Sequence, residues 1–236
     1  MRVPLPRVQQ GRVLADWVAT SLREAILNGF FERGEKIDQD LIAEQLKVSR
    51  TPVREALKSL EFEGFVEIRP HYGAFIPVVT PRDVREVYEV RALLEAEVVR
   101  QVTPVISEAV LDEIERSQAE SLAELDAGNT TKHFESDIHF HQTLLDLVEN
   151  PLIKEILDGL TNRISMVRRL AQSRPGLHLP ESLDEHCSII RAVRGRNADE
   201  AAELMVIHLR TSSLRIEELA RELEKSPPVD SPVVAG

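Results

Sequence analysis

"SRTPVREALKSLEFEGFVEIRPHYGAFI", residues 49–76, decides how this chain is read. Its first half has a helical period. Val53, Ala56, Leu57 and Leu60 form one apolar stripe, and Gly64 marks its end. Thr51 precedes Pro52, which pushes it off helical backbone and predicts it as the N-cap, with proline in the first turn. In the second half the period changes. Two β-branched or aromatic runs flank Pro70–His71–Tyr72–Gly73, which predicts a two-stranded hairpin.

Upstream, residues 12–28 predict an amphipathic helix with Val13, Trp17, Leu22, Ile26 and Leu27 at helical spacing and Gly29 as its stop. "FFERGEKI" predicts a loop, and residues 39–47 a short helix with Leu41, Ile42 and Leu46 apolar. Three helices and a hairpin in under 80 residues make a winged helix-turn-helix. Downstream the pattern is all helical. "TPRD" opens it with Thr80 as cap, Pro81 at the first position and Asp83 in the first turn. Helices are expected near 81–101, 107–127, 130–149, 151–173, 181–195 and 198–224, with "SRPGLHLP" as a loop. Short connections predict an antiparallel six-helix bundle. The expected fold class is mainly α: an N-terminal winged helix-turn-helix with a small β-hairpin wing (residues 1–79) and a C-terminal antiparallel six-helix bundle (residues 80–224). The Pro-rich stretch 225–236 is expected to be a disordered tail.

Composition narrows the partners. The 236 residues are 42% hydrophobic and 29% charged, which suits helical domains with real cores. No run of about 18 apolar residues predicts a membrane span. The N-terminus lacks the apolar core of a secretory signal, so a cytoplasmic location is expected. One cysteine, Cys187, excludes a disulfide framework and a multi-cysteine zinc site. Residues 1–80 carry 11 basic and 11 acidic side chains, so the whole net charge of −11 falls on the rest of the chain. Such asymmetry points to two parts with different partners. A neutral domain binds DNA if its arginines are focused on one edge.

In a helix-turn-helix the N-terminus of the second helix faces the bases. Here it reads Ser49, Arg50, Thr51, Pro52, Val53, Arg54. Arg50 and Arg54 lie four apart, and the planar guanidinium suits guanine edges or phosphate. Ser49 and Thr51 can donate to phosphates. Lys58 extends the basic edge, and Arg69, His71 and Gly73 sit where a wing reaches the duplex. Taken alone, two arginines are ordinary surface charge; the flanking elements favour DNA.

"VSRTPVREALKSLEFEGFVEI…GAFI" resembles the N-terminal domain of the GntR family of bacterial transcription regulators over roughly residues 10–80. The resemblance implies a dimeric repressor or activator of double-stranded DNA. It puts contacts on Arg50, Thr51 and Arg54, supported by Ser49 and wing residue Gly73. Gln39 stands where many relatives have Glu, Lys47 replaces the usual turn Gly, and "RPHYGA" is an altered wing tip.

A second constellation lies in "ESDIHFHQTLLDLVENP", residues 135–151. Asp137 and His141 share a helix face with Phe134, Ile138, Leu144, Leu145 and Val148. His139 lies on another face, His133 reads as exposed, and His178 falls in a loop. His186 precedes Ile189, Ile190 and Val193, and His208 sits among Leu204, Met205, Ile207 and Leu209. A buried carboxylate is costly unless paired. One Asp and three His on converging helices suit zinc first, with nickel, manganese or iron as alternatives. The competing reading is core histidines and one buried hydrogen-bonded pair.

Residues 81–220 resemble the FCD ligand-binding domain of the FadR-type branch of the same family. "VREVYEVRALLEAEVV" is similar to its opening helix, "DIHFHQTLL…NP" to its Asp-x-x-x-His helix, and "EHCSIIRAV" and "MVIHL" to its later histidine positions. The resemblance implies a metal on Asp137, His141, His186 and His208, and a small organic-acid effector with Arg91 and Arg163 as its partners. Both arginines read equally well as salt-bridge residues. A metallohydrolase would need a general base at the metal; Glu135 and Glu185 are close in sequence, but neither has an offset that points it inward. An acyl-type effector without metal is the other alternative. The expected function is transcription regulation by a homodimer on an inverted-repeat operator.

Overall fold

A computed structural model describes residues 10–172 and 179–225. They divide into two compact units, one up to Val78 and one from Val79.

In the first unit, α1 (Gln10–Leu27) is followed by β1 (Lys36–Ile37), α2 (Gln39–Gln45), α3 (Arg50–Phe62), β2 (Glu67–Arg69) and β3 (Gly73–Phe75). Local chemistry sets the boundaries. Asp38 caps α2 by accepting from the N–H groups of Asp40 (2.9 Å) and Leu41 (3.1 Å). Lys47, which stands where relatives usually have a turn glycine, adopts φ 54° in the left-handed region. Gly64, at φ 84°, ends α3, and Phe65 N–H donates to Leu60 O at 2.9 Å. The core gathers Val18, Ile26, Val53, Leu57, Leu60, Phe65 and Ile76.

Three expectations change here. The N-cap of α3 is Ser49, not Thr51, so the helix begins before the proline. The buried stripe of α1 is Ala15, Val18, Ala19, Leu22 and Ile26, while Val13 and Trp17 face solvent. Small alanines let α1 lie against α3, and side-chain size misled the reading. The wing is a three-stranded antiparallel sheet in the order β1-β3-β2, not a hairpin alone. β1 pairs Lys36 with Phe75 and Ile37 with Ala74, and β2 pairs Glu67 with Phe75 and Arg69 with Gly73. Two residues are too short to display the alternation that marks a strand.

The second unit has six helices among the described residues. They are α4 (Pro81–Val102), α5 (Glu108–Asp126), α6 (Thr131–Asp146), α7 (Pro151–Gln172), α8 (Leu179–Arg194) and α9 (Ala198–Lys225). Thr80 and Asp83 form the expected capping box on α4. Thr80 Oγ1 accepts from Asp83 N–H at 3.2 Å, and Thr80 N–H donates to Asp83 Oδ2 at 2.9 Å. Ser107 caps α5 by accepting from Val110 N–H. Arg196, at φ 57°, donates to Thr103 O (2.8 Å) and Ile106 O (2.7 Å), tying the α8–α9 turn to the end of α4. α9 runs alongside α4 and α8, and α5 packs on α6 and α8. Val84, Val99, Leu111, Ile114, Phe140, Ile189 and Leu209 are central to the core. No helix among the described residues is long and apolar enough to cross a membrane. Of the expected loop at 173–180, Leu179 and Pro180 belong to α8, and of the expected tail at 225–236, Lys225 belongs to α9; the rest of both, with His178, lies outside the described residues.

Leu111 is buried at the heart of α5's contacts. Leu111→Ala should cost about 2–5 kcal/mol through lost transfer energy and a residual cavity. Urea unfolding followed by circular dichroism should show a lower midpoint at unchanged helix content in water.

Candidate functional site

The first candidate surface is the start of α3. Ser49 sits at the N-cap with no side-chain cap bond, so its hydroxyl is not spent on the helix. Arg50, Thr51, Arg54 and Lys58 are exposed, while Val53, Ala56, Leu57 and Leu60 are buried on the opposite face. Arg50 forms an ion pair with Asp40 of α2. Neither Arg54 nor Lys58 forms an ion pair among the described residues. The free N–H groups of the helix start add donors for phosphate. In the wing, Arg69 is already engaged: it grips Glu67 through Nε (3.0 Å) and Nη2 (2.9 Å) and stacks on Phe75 with Cζ 4.5 Å from the ring centre. His71 is exposed at φ 67°. Gly73 has φ 111°, and a Cβ there would approach Lys36 Cε to 3.2 Å, so its contribution is backbone shape.

The second candidate lies inside the helical unit. Asp137 and His141 come from α6, His186 from α8 and His208 from α9, and one ligand atom of each lies within 4.8 Å of all the others. The converging atoms are the three Nε2 nitrogens and one carboxylate oxygen. His186 Nε2 is 3.2 Å from His208 Nε2, and His208 Nε2 is 3.4 Å from His141 Nε2. Asp137 Oδ1 is 3.7 Å from both His141 Nε2 and His186 Nε2. Phe140 stacks on His186 at 4.2 Å between ring centres and fixes its plane.

Each imidazole turns its other nitrogen to an oxygen. His141 Nδ1 lies 2.5 Å from Glu95 Oε2 on α4, within ion-pair distance but without hydrogen-bond geometry. His186 Nδ1 lies 3.1 Å from Gln118 Oε1 on α5, and His208 Nδ1 lies 2.7 Å from Glu185 Oε2 on α8. A neutral imidazole has one donor and one acceptor nitrogen. With Nδ1–H facing these oxygens, all three Nε2 lone pairs face one another. In that tautomer the lone pairs repel one another without a cation among them, and metal-binding histidines hold their other ring nitrogen against an oxygen in the same way. The donor spacing agrees. Bonds of about 2.0–2.2 Å place neighbouring donors roughly 3.0 Å apart in an octahedron and 3.4 Å in a tetrahedron. The nitrogen and oxygen donors therefore fit a divalent transition ion.

Burial and charge tune the ring nitrogens. Burial holds His186 well below its ordinary pKa, with His208 adding to the effect. Burial also lowers His208, against the pull of Glu185. At His141 burial acts in the same direction, but Glu95 and Asp137 outweigh it and raise the pKa. Glu95 is buried, which alone would raise its carboxyl; Arg91 and His141 outweigh that and hold it below the usual range. Arg91 Nε donates to Glu95 Oε1 at 2.6 Å, and its Cζ sits 4.9 Å from the Tyr88 ring centre.

Several residues are placed differently from the sequence expectation. Glu185 does point inward, and it also accepts from Arg215 at 2.8 Å. Glu135 stays outside, 3.2 Å from Lys132. His133 is buried rather than exposed, and its Nδ1 has no hydrogen-bond partner. Ile138, expected on the buried face, is 45% exposed. Arg91 lines a cavity beside His141 as an ion pair with Glu95, whereas Arg163 is exposed and does not line that cavity. Glu95 and Gln118 were missed. The offset of Glu95, four after Arg91 on an apolar helix face, was the available signal.

Both units match known protein families. The FCD domain family matches residues 86–211, and the bacterial regulatory proteins of the gntR family match residues 14–76. The HTH-type transcriptional regulator YdhC of Bacillus subtilis (strain 168) is 31% identical over 189 residues, 79% of this chain and 84% of that protein. The Nta operon transcriptional regulator of Aminobacter aminovorans is 33% identical over 195 residues, 81% of this chain and 89% of that protein. A structural-genomics GntR crystal structure from Rhodococcus sp. RHA1 aligns with a TM-score of 0.70 at 27% identity, covering 86% of this chain and 96% of that one.

The buried pair Arg91–Glu95 sets a stability test. Glu95→Ala leaves an uncompensated guanidinium in the core and should cost about 3–5 kcal/mol. The double variant Arg91→Met, Glu95→Leu should recover most of that loss. Chemical unfolding of the three proteins measures both, and an equal loss in the double variant would contradict the assignment.

Proposed function

The chain belongs to the GntR family of bacterial regulatory proteins and carries an FCD domain, so it is a DNA-binding transcription regulator and not an enzyme, and we propose that a small carboxylate held at a metal in its helical unit controls its grip on the operator. One observation carries the proposal: three Nε2 atoms and Asp137 Oδ1 converge while every Nδ1 is backed by an oxygen. Asp137, His141, His186 and His208 would hold the ion. A divalent ion supplies a positive charge and, where it exceeds four-coordination, open positions for an anionic ligand. Four protein donors saturate a four-coordinate zinc, so carboxylate binding favours five or six coordination.

The chain's own residues do the rest. Glu95, Gln118 and Glu185 set oxygens 2.5–3.1 Å from the Nδ1 atoms of their histidines, which would leave Nε2 free to ligate. Arg91 balances Glu95 and places a cation at the cavity wall. Ser49, Arg50, Thr51, Arg54 and Lys58 would contact DNA from α3, with His71, Gly73 and Arg69 at the wing. Arg50 and Arg69 would first exchange an acidic partner for phosphate. Arg54 needs no such exchange, which makes it the residue to test.

A homodimer on an inverted-repeat operator in the cytoplasm completes the proposal. Leu93 and Leu214, exposed on neighbouring faces of α4 and α9 among Arg85, Glu89, Arg210 and Glu217, support a self-complementary contact there. The effector changes DNA affinity only by binding two arrangements of the protein with different strengths.

Arg54→Ala should weaken operator binding by roughly tenfold or more, as expected for loss of an arginine base or phosphate contact. Fluorescence anisotropy with labelled operator measures it, and unchanged affinity would remove this face of α3 from the interface. Elemental analysis should find about one equivalent of transition metal per chain, lost in the His141→Ala, His186→Ala double variant. No metal in the wild type after incubation with zinc, nickel and manganese would make the histidines a packing feature and end the metal proposal.

A further inference from the structure

A cavity of about 110 Å³ lies beside the cluster, between α4, α6, α7 and α9, and its lining describes what it would hold. Arg91, Glu95 and His141 contribute its charged wall. Most of the remainder is aliphatic, including Val99, Leu145, Leu157, Ile164 and Met205. The other polar lining is Gln142, whose amide donates to Asp146 at 3.0 Å, and Ser165. A polyhydroxylated acid would bury several hydroxyls against methyl groups, each destabilising when unpaired. An aliphatic tail meets no such cost.

Charge sets the number of carboxylates. Around the cluster Asp137, Glu95 and Glu185 stand against Arg91 and Arg215, one negative charge in excess. With the histidines neutral as ligands, a divalent ion turns that excess into one positive charge. A single carboxylate then brings the site to neutrality. A di- or tricarboxylate would leave buried negative charge, and Arg91 is the only arginine or lysine lining this cavity among the described residues. Size adds a limit. A cavity of roughly 150 Å³ takes the six carbons of benzene, so 110 Å³ takes a tail of about four or five.

We infer that the effector is a monocarboxylate with a short aliphatic tail, its carboxylate toward the ion and its tail among Val99, Leu145, Leu157, Ile164 and Met205. This assignment rests on the carboxylate-controlled role proposed above. Titration calorimetry on the metal-loaded full chain tests it, with acetate, butyrate, valerate, octanoate, gluconate and citrate as probes. Affinity should rise about fourfold per methylene from acetate to valerate, as burial of each CH₂ predicts, and fall at octanoate. Gluconate and citrate should bind at least tenfold more weakly than valerate. Leu157→Trp and, as the milder change, Ile164→Phe should each weaken valerate at least tenfold and leave acetate and metal content unchanged.

A flat series from acetate to valerate, or variants that bind valerate normally, would overturn the placement of the tail. Tighter binding of gluconate or citrate would overturn the effector class while leaving carboxylate control in place. If a chain that retains its metal binds no carboxylate at all, the proposed role falls together with this inference. The wild-type series decides alone should neither variant fold.

Discussion

A neutral histidine has one ring proton to place, and three buried histidines in this protein each set Nδ1 against an outer oxygen. Glu95, Gln118 and Glu185 take those contacts from α4, α5 and α8. The inward nitrogens are then all acceptors, 3.2–3.4 Å apart along His186–His208–His141, with a carboxylate oxygen beside them. Much of the polar interior of the helical unit follows from this. Arg91 is buried because Glu95 is, and Glu95 is buried because His141 needs an oxygen behind it. Arg215 reaches Glu185 for the same reason.

Such a core is a poor way to stabilise a bundle. Replacing a buried ion pair with apolar residues is often neutral or stabilising, so packing alone does not account for Arg91, Glu95 and three histidines at this depth. The apolar residues around them, Phe140, Ile189, Leu209 and Val99, already form a continuous core. Ligand recognition accounts for the polar set better, because a cation among the Nε2 atoms turns repulsion into bonding. The adjoining cavity sets a charged wall beside an aliphatic one, which on the proposed reading would address a head group and a tail.

The sequence disclosed whatever depends on local pattern. The Thr80–Asp83 capping box and the stripe Val53, Ala56, Leu57, Leu60 each lie within a few residues. The four converging residues were legible because Asp137 and His141 share a helix face and each later histidine sits within an apolar run. The partners behind them were not. Gln118 and Glu185 are 68 and 23 residues from the histidines they face, and nothing local marks a carboxylate or amide as the one aimed inward. His133 read as exposed because it lies near a helix start, yet α5 covers it: Ser136, three residues on, hydrogen-bonds Ser117 and Gln118. β1 escaped because two residues carry no period, and α1's stripe because alanine registers weakly as apolar while deciding how closely helices approach.

The two units also divide the energetic labour in a way their charges make plain. The operator-facing part is neutral overall and concentrates unpaired cations, Arg54 and Lys58, on one helix edge, so its affinity should be electrostatic and salt-sensitive. Residues 81–236 hold the whole net charge of −11, an acidity that offers DNA no electrostatic attraction. Effector control then has a modest task. Couplings between sites are typically about 1–3 kcal/mol, and a single short acid that neutralises one buried charge and buries a few methylenes can supply a difference of that size between two arrangements. A tight effector is not required; a discriminating one is, and the close-packed walls around Val99, Leu157 and Ile164 provide the means to discriminate.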